Sequence, residues 1–212
     1  MKFRSIAVEG PVGVGKTTFV ELLATKFDAL RVLESIDNPF LESFYEDKQG
    51  ASFQVQLFFL LSRYRQLQEL SQRSLFHQVT LLDYIFPKDK IFAYLNLDDS
   101  ELLIYDKLYA LLEQQVPKPD LVIFLQAETP ALVERIHKRS RKYEARISEA
   151  YVNEVNKAYN YFFFHYNQTP LLVIDTTQID LVQHTEHLDE LVAQIRRMDR
   201  GVQYYRPLGT PA

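Results

Sequence analysis

Short apolar runs alternate along the chain with longer segments in which apolar residues recur at helical spacing. Apolar runs of four to six residues bounded by turn residues are typical of buried strands, and the segments between them are long enough for helices. Strands and helices that alternate in this way form a parallel sheet covered on both faces. The sequence therefore predicts an α/β fold with a five-stranded parallel sheet, its strands at 3–8, 30–33, 78–82, 121–125 and 171–175.

Most of the remaining chain is predicted to be helical, with apolar side chains three or four positions apart. We expect a single domain of residues 1–200. Residues 201–212 show no periodicity and are predicted to be a C-terminal tail. Helices are predicted after residue 17, at 40–45, 52–74, 85–95 and 98–116, from residue 129, and at 148–166 and 181–198.

Residues 10–17 match the phosphate-binding pattern Gly-x-x-x-x-Gly-Lys-Ser/Thr between a predicted strand and a predicted helix. That context aims several backbone N–H groups and the positive end of a helix dipole at one point. Lys16 would reach the terminal phosphates of a nucleoside triphosphate, and the Thr17 hydroxyl would hold Mg²⁺. The loop residues expected to bind the triphosphate are Gly10, Pro11, Val12, Gly13, Val14, Gly15, Lys16, Thr17 and Thr18.

Two acidic residues come directly after predicted strands. Glu34 follows the second strand and Asp83 follows the third. Ligands of open α/β sheets bind beyond the carboxyl ends of the strands, so both side chains are expected on the active edge. An acidic residue at the end of a strand downstream of a phosphate loop suits a Mg²⁺ or catalytic role, which we predict for Asp83.

The long helix predicted at 52–74 carries polar residues within its apolar first half. Gln56 and Arg63 are seven positions apart, two helical turns, so they share one face. Buried polar groups need partners, and a ligand is one way to supply them. The alternative is structural: Arg63 would pair with a carboxylate and Gln56 would bond a backbone group.

Residues 135–146 hold six lysines and arginines in twelve positions, although the whole chain has a formal net charge of −4. One interpretation is a solvated basic face. After a parallel strand in a phosphate-loop protein, the segment is better interpreted as a lid, at about 138–147, whose arginines close over the triphosphate.

The composition limits the cellular compartments and the classes of partner that are expected for this chain. The net acidic charge argues against a general nucleic-acid binder. The absence of cysteine excludes disulfides and thiolate chemistry. No apolar run approaches the ~20 residues of a membrane span, and the first strand leaves no room for a signal peptide. We expect a cytoplasmic enzyme with no membrane and no nucleic-acid partner.

A regulatory GTPase is disfavoured. Its guanine-reading Asn-Lys-x-Asp would follow a strand, but the nearest match, 156–159, lacks the aspartate and lies inside a predicted helix. A small-molecule kinase needs an acceptor pocket, a base and a lid, and the long helix, Glu34 and residues 135–146 are candidates for these.

Across residues 6–166 the chain resembles the deoxyribonucleoside kinases, particularly their bacterial deoxyadenosine/deoxyguanosine kinase branch. Each shared segment is short, but their order and spacing together are specific. The resemblance implies a P-loop kinase fold, ATP and Mg²⁺ as cofactors, and a homodimer, for which apolar helices around 53–61 and 98–112 are candidates. The segments are 8–18, 33–34, 37–40, 53–56, 62–64, 82–84, 88–89, 117–120, and 135–141 with Glu144.

By this resemblance, Glu34 would be the general base that takes the proton of a nucleoside 5′-hydroxyl. Gln56 would hydrogen-bond the nucleobase, Asp89 would sit beside its polar edge, and Arg63 would hold Glu34 and the 5′ end. When the lid closes, Glu144 would bind the sugar 3′-hydroxyl. The implied substrate-binding residues are Glu34, Tyr45, Gln56, Arg63, Asp83, Tyr84, Asp89 and Glu144.

The lid arginines would neutralise the transferring phosphoryl group. Arg135 and Arg139 would also contact ATP, and Thr17 and Asp83 would hold the metal. Glu9, directly before the loop, has no role in this interpretation. The implied catalytic residues are Lys16, Glu34, Arg63, Arg139 and Arg141.

One position departs from the wider family, in which an arginine often follows the acidic residue at the end of the third strand. Here Tyr84 follows Asp83. Arg63 is therefore expected to supply more of the positive charge at Glu34. The tyrosine resembles the bacterial purine-nucleoside branch of the family, and this resemblance implies a purine acceptor. Two alternatives remain: a nucleoside monophosphate kinase of the thymidylate type, and a nucleotide-sensing protein without catalysis.

Overall fold

The computed structural model of the chain describes residues 2–34, 37–45, 50–73, 79–139, 147–179 and 186–206. In these residues six parallel strands form one sheet in the order β2-β3-β1-β4-β5-β6. No helix within the same ranges is long and apolar enough to cross a membrane. The strands are β1 (Ser5–Glu9), β2 (Leu30–Val32), β3 (Thr80–Leu82), β4 (Leu121–Gln126), β5 (Leu171–Asp175) and β6 (Val202–Tyr205).

The predicted count of five strands is one too few, because β6 lies within the predicted tail. It pairs in parallel with β5, with Leu171 opposite Val202 and Ile174 opposite Tyr205. At the edge of the sheet, Tyr204 is 72% exposed. A four-residue edge strand with this exposure lacks the apolar run of an interior strand, so the sequence pattern does not reveal it.

Within the described residues the helices follow the predicted ones with small shifts of their ends; the predicted end at residue 74 and the predicted start at residue 181 lie outside those residues. Asp98 and Glu101 form a capping box that begins α5. The predicted start of α4 at residue 85 is three residues early, because a turn through Pro87 separates β3 from the helix. The helices are α1 (Lys16–Phe27), α2 (Leu41–Tyr45), α3 (Ala51–Arg73), α4 (Lys88–Asn96), α5 (Asp99–Glu113), α6 (Thr129–Arg139), α7 (Glu149–Phe164) and α8 (Glu186–Arg197).

The sheet separates two apolar cores. In β1, Ile6 and Val8 pack into one cluster while Ala7 packs into the other, as the two-residue period of a strand requires. The first cluster includes residues of α1, α6 and α8, and the second includes residues of α3, α4, α5 and α7. The predicted α/β fold with helices on both faces is therefore confirmed, and β3, β1, β4 and β5 are the interior strands of the sheet.

Candidate active site

The strand order brings three acidic residues to one edge of the sheet. Glu34 follows β2, Asp83 follows β3 and Glu9 ends β1, and these three strands are neighbours. The carboxyl edge of a parallel sheet is where ligands of such folds bind. The structure thus places Glu34 and Asp83 on the expected edge and adds Glu9 to them.

The phosphate loop connects β1 to α1, as its pattern predicts. At Gly13 the backbone has φ +87°, and a Cβ would lie 2.7 Å from the carbonyl oxygen of Leu132, so the tight turn requires glycine. The Nζ of Lys16 donates to the carbonyl oxygens of Gly10 at 2.5 Å and Pro11 at 3.2 Å. The loop therefore surrounds the ammonium where the pattern expects phosphates.

The charge of Lys16 depends on its surroundings. Burial, reinforced by the nearby ammonium of Lys88, lowers the pKa of Lys16 to about 8, although the carboxylates of Glu9, Glu34 and Asp83 oppose this. A phosphate group beside the ammonium would raise the pKa again, because an opposite charge favours the charged form. The loop is therefore suited to an anionic ligand.

Glu34 lies between two cations. Its Oε1 accepts hydrogen bonds from Nε of Arg63 at 2.7 Å and from Nη2 of the same guanidinium. Its Oε2 accepts a hydrogen bond from Nζ of Lys88 at 2.7 Å. Burial alone would raise the pKa of Glu34, but the charges of Arg63 and Lys88 outweigh it and hold that pKa well below the usual range. The carboxylate is therefore ionised, the state that can accept a proton.

Asp83 connects Glu34 to the phosphate loop. Its Oδ1 accepts a hydrogen bond from the backbone N–H of Glu34 at 2.6 Å, and its Oδ2 accepts one from the Thr17 hydroxyl at 3.2 Å. Burial raises the pKa of Asp83, while the Glu34 N–H and Lys88 oppose the change. One carboxylate thus spans the distance between the candidate base and the loop.

Arg63 also connects Glu34 to Asp89 at the start of α4. Its Nη1 donates to Oδ1 of Asp89, and the arginine is only 5% exposed. The other oxygen, Oδ2, is buried and has no hydrogen-bond partner among the described residues. Burial raises the pKa of Asp89 although Arg63 opposes it. A buried acceptor of this kind is a position that a ligand donor would satisfy.

Gln56 lies on the same helix as Arg63 and is 3% exposed, whereas Gln54 is exposed. The predicted shared face of Gln56 and Arg63 is therefore buried. Arg63 pairs with the carboxylates of Glu34 and Asp89, as the structural alternative expects. Because Glu34 is also the candidate base, the same ion pair agrees with a role of Arg63 in the site. Contact of Gln56 with a nucleobase stays a prediction.

Through Gln66, the side chain of Tyr84 is connected to the backbone directly before Glu34. Its hydroxyl donates to Oε1 of Gln66 at 2.6 Å, and Nε2 of Gln66 donates to the carbonyl oxygen of Leu33 at 2.8 Å. The second cation at Glu34 is Lys88, four residues after Tyr84 and the first residue of α4. No role is predicted for Lys88 from the sequence, although residues 88–89 are one of the segments on which the family resemblance rests.

The remaining predicted residues belong to the lid and its neighbours. Arg135 on α6 donates to the hydroxyl of Thr176 at 3.2 Å and to the carbonyl oxygens of Thr176 at 2.5 Å and Ile179 at 3.2 Å. Arg139 ends α6 and is exposed. Their contacts with ATP stay predictions. Arg141, Glu144 and the side chain of Tyr45 lie outside the described residues.

A sequence model of the deoxynucleoside kinase family matches residues 6–198. The chain belongs to this family. This deoxynucleoside kinase is 34% identical over 199 residues to the deoxyguanosine kinase of Bacillus subtilis, and the alignment covers 91% of this chain and 96% of the relative. It is 31% identical over 201 residues to the deoxyadenosine/deoxycytidine kinase of the same organism, covering 90% of each.

Solved structures show the same P-loop kinase fold. The structure of deoxyadenosine kinase from M. mycoides with bound dATP has a TM-score of 0.76 and 26% sequence identity. The alignment covers 90% of this chain and 99% of that one. The resemblance to the deoxynucleoside kinases and the expectation of an ATP-dependent kinase are therefore confirmed.

Proposed function

We propose that this deoxynucleoside kinase transfers the γ-phosphate of ATP to the 5′-hydroxyl of a purine deoxyribonucleoside, in nucleotide salvage. The observation that carries the proposal is the Asp83 carboxylate, which bonds the backbone of Glu34 on one side and the Thr17 hydroxyl on the other. Candidate base and phosphate loop are thereby kept at a set distance. Phosphoryl transfer depends mainly on such positioning and on charge neutralisation.

In the proposed reaction the nucleoside 5′ oxygen attacks the γ-phosphorus of ATP. The bond between that phosphorus and its bridging oxygen to the β-phosphate breaks, and ADP leaves with the bonding electrons. Glu34 takes the hydroxyl proton, which its ionised state permits. Lys16 stabilises the negative charge that shifts to the leaving phosphate.

The donor set at the loop fits Mg²⁺. This ion prefers oxygen ligands, keeps several waters, and is bound by one or two carboxylates together with substrate phosphates. The Thr17 hydroxyl and the Asp83 carboxylate supply such oxygens at the end of the loop, 3.2 Å apart. These two residues would hold the ion, which supplies charge neutralisation at the β- and γ-phosphates.

The acceptor would lie over α3 and the first turn of α4. Gln56 and Asp89 are buried on these elements, and the free Oδ2 of Asp89 offers an acceptor to a nucleobase donor. A glutamine can pair with either purine by choosing its donor or its acceptor. The names of the relatives, deoxyguanosine kinase and deoxyadenosine/deoxycytidine kinase, support a deoxynucleoside with a purine preference.

A coupled assay for ADP across deoxyadenosine, deoxyguanosine, deoxycytidine and thymidine, with ATP and Mg²⁺, tests the proposal. We expect the highest kcat/KM with a purine, and loss of turnover when Mg²⁺ is chelated. A parallel series with the deoxynucleoside monophosphates tests the thymidylate-type alternative. Turnover with monophosphates only would reject the proposal, and no phosphate transfer at all would favour the nucleotide-sensing alternative.

A homodimer belongs to the same proposal. Exposed aromatic residues lie along the groove between α4 and α7, with Tyr94 57% and Tyr161 71% exposed. A second copy would cover this apolar surface. Light scattering at micromolar concentration is expected to give twice the mass of 24.9 kDa, and a monomer would remove this part of the proposal. The cytoplasmic location and the lid at about 138–147 stay predictions.

A further inference from the structure

The structure has no arginine after Asp83, yet Glu34 has a second cation. The side chain at that position, Tyr84, is fully buried and its hydroxyl donates to Gln66. A neutral phenol engaged in this way supplies no positive charge to Glu34. The expectation that Arg63 carries more of the charge compensation at Glu34 therefore leaves out one of the two cations.

Lys88 supplies that charge from the first turn of α4. Its Nζ lies 2.7 Å from Oε2 of Glu34 and 3.9 Å from Oε1 of Glu9, and the side chain is 5% exposed. Burial alone would lower the pKa of Lys88, but Glu34 and Glu9 outweigh it and raise that pKa. The ammonium is therefore charged, so it donates to Glu34 and cannot itself take a proton.

Glu9 secures Lys88 and the phosphate loop together. The glutamate is completely buried; its Oε2 accepts the backbone N–H of Gly10 and its Oε1 accepts the backbone N–H of Ile85, each at 3.0 Å. Gly10 begins the phosphate loop, and Ile85 begins the turn that leads to Lys88. A side chain without a role in the sequence interpretation thus connects the two halves of the site.

The hydrogen bonds at Glu34 distinguish its two oxygens. A carboxylate oxygen has two lone-pair sites. Oε1 uses both for the Nε and Nη2 of Arg63, whereas Oε2 accepts, among the described residues, a hydrogen bond from Lys88 alone. Oε2 keeps one site for a substrate hydroxyl, and Lys88 determines where that site points.

We infer that Lys88 is a positioning residue for the transfer reaction: it holds Oε2 of Glu34 towards the acceptor hydroxyl, in the role of the arginine absent at position 84. The inference rests on the proposed function. It also predicts that Oε2 is the atom that receives the proton. Without Lys88, the carboxylate keeps only its Arg63 contacts and rotates away from the reactive orientation.

The kinetic test compares Lys88→Met, Lys88→Gln and Lys88→Arg with the native enzyme. We expect Lys88→Met to lose at least about tenfold in kcat, because a misplaced base loses much of its effect, with the KM for ATP nearly unchanged. Lys88→Arg should recover most of the activity, and Lys88→Gln, which donates without charge, should fall between them. Lys107→Met is the matched control, since Lys107 is exposed on α5.

Crystal structures of the native enzyme and Lys88→Met provide a readout independent of turnover. A turned Glu34 carboxylate, with Arg63 still on Oε1, supports the inference even when the nucleoside panel rejects the proposed function. An unmoved carboxylate together with a native kcat overturns it. If Lys88→Met does not fold, the comparison of Lys88→Gln with Lys88→Arg decides: equal kcat values overturn the inference.

Discussion

The backbone N–H of Glu34 donates to Oδ1 of Asp83 at 2.6 Å, although the two residues are 49 positions apart. The contact exists because β2 and β3 are parallel neighbours, with Val32, two residues before Glu34, paired to Leu82, one residue before Asp83. The contact holds the candidate base beside the candidate metal ligand. Because the two side chains have different proposed roles, proton acceptor and Mg²⁺ ligand, their substitutions should change different kinetic constants.

Replacing the carboxylate of Glu34 should remove proton transfer but leave the pocket filled. We expect Glu34→Gln to bind the nucleoside, measured by calorimetry, and to lose at least ~10²-fold in kcat, the usual scale for a general base. Glu69→Gln, an exposed glutamate on α3, is the control and should keep native kcat. An unchanged kcat in Glu34→Gln would remove Glu34 from the role of base.

Replacing Asp83 should weaken the response to Mg²⁺. An asparagine can accept the Glu34 N–H with its one carbonyl oxygen, but its amide then faces the Thr17 hydroxyl and supplies no anionic oxygen. We expect Asp83→Asn to need at least ~10-fold more Mg²⁺ for half-maximal rate, since carboxylates dominate Mg²⁺ sites. Asp99→Asn, exposed at the start of α5, should respond as the native enzyme does, and equal Mg²⁺ curves for all three would contradict the role of Asp83.

Substitutions of the buried Gln56 and the exposed Gln54 form a matched pair of variants that tests the contact with the nucleobase. Gln56→Ala should raise the nucleoside KM by about tenfold to a hundredfold and leave the KM for ATP unchanged, because a lost hydrogen bond leaves a buried polar group of the base unpaired. Gln54→Ala, two residues earlier and exposed, should change neither constant. Equal effects of the two substitutions on the nucleoside KM would argue against a contact between Gln56 and the base.

The ionisation of Glu34 can be followed directly in the free enzyme. Burial raises its pKa, but Arg63 and Lys88 lower it by more, so the folded-state pKa lies below the unfolded value of about 4.3. Its contribution to stability is therefore present above that value and is lost as the pH falls below it. In ¹³C NMR of glutamate carboxyls, the Glu34 signal is identified by its absence in Glu34→Gln. Its chemical shift should remain that of the ionised carboxylate at pH 4, while the shifts of exposed glutamates change. A midpoint near 4.3 would contradict the two-cation environment.

Local patterns were sufficient for the parts of the site that depend on adjacent residues. The phosphate loop follows from eight consecutive positions, because a strand, a glycine turn and a helix N-terminus are neighbours in sequence. Glu34 and Asp83 could be predicted because each follows the carboxyl end of a strand, and parallel neighbours end at the same edge of the sheet. The edge strand β6 could not be foreseen, since its hydrogen bonds to β5 form it without an apolar run.

The sequence by itself determined the fold class, the phosphate loop and the family of this protein. Only the tertiary structure decided which charges meet: Lys88 with Glu34, and Glu9 with the N–H groups of Gly10 and Ile85. A lysine in the first turn of a helix can point in many directions, and sequence spacing does not choose among them. The strand order β2-β3-β1 decides the direction, because it places the ends of three strands beside the first turn of α4. A buried ammonium there is stable only when it is paired with carboxylates.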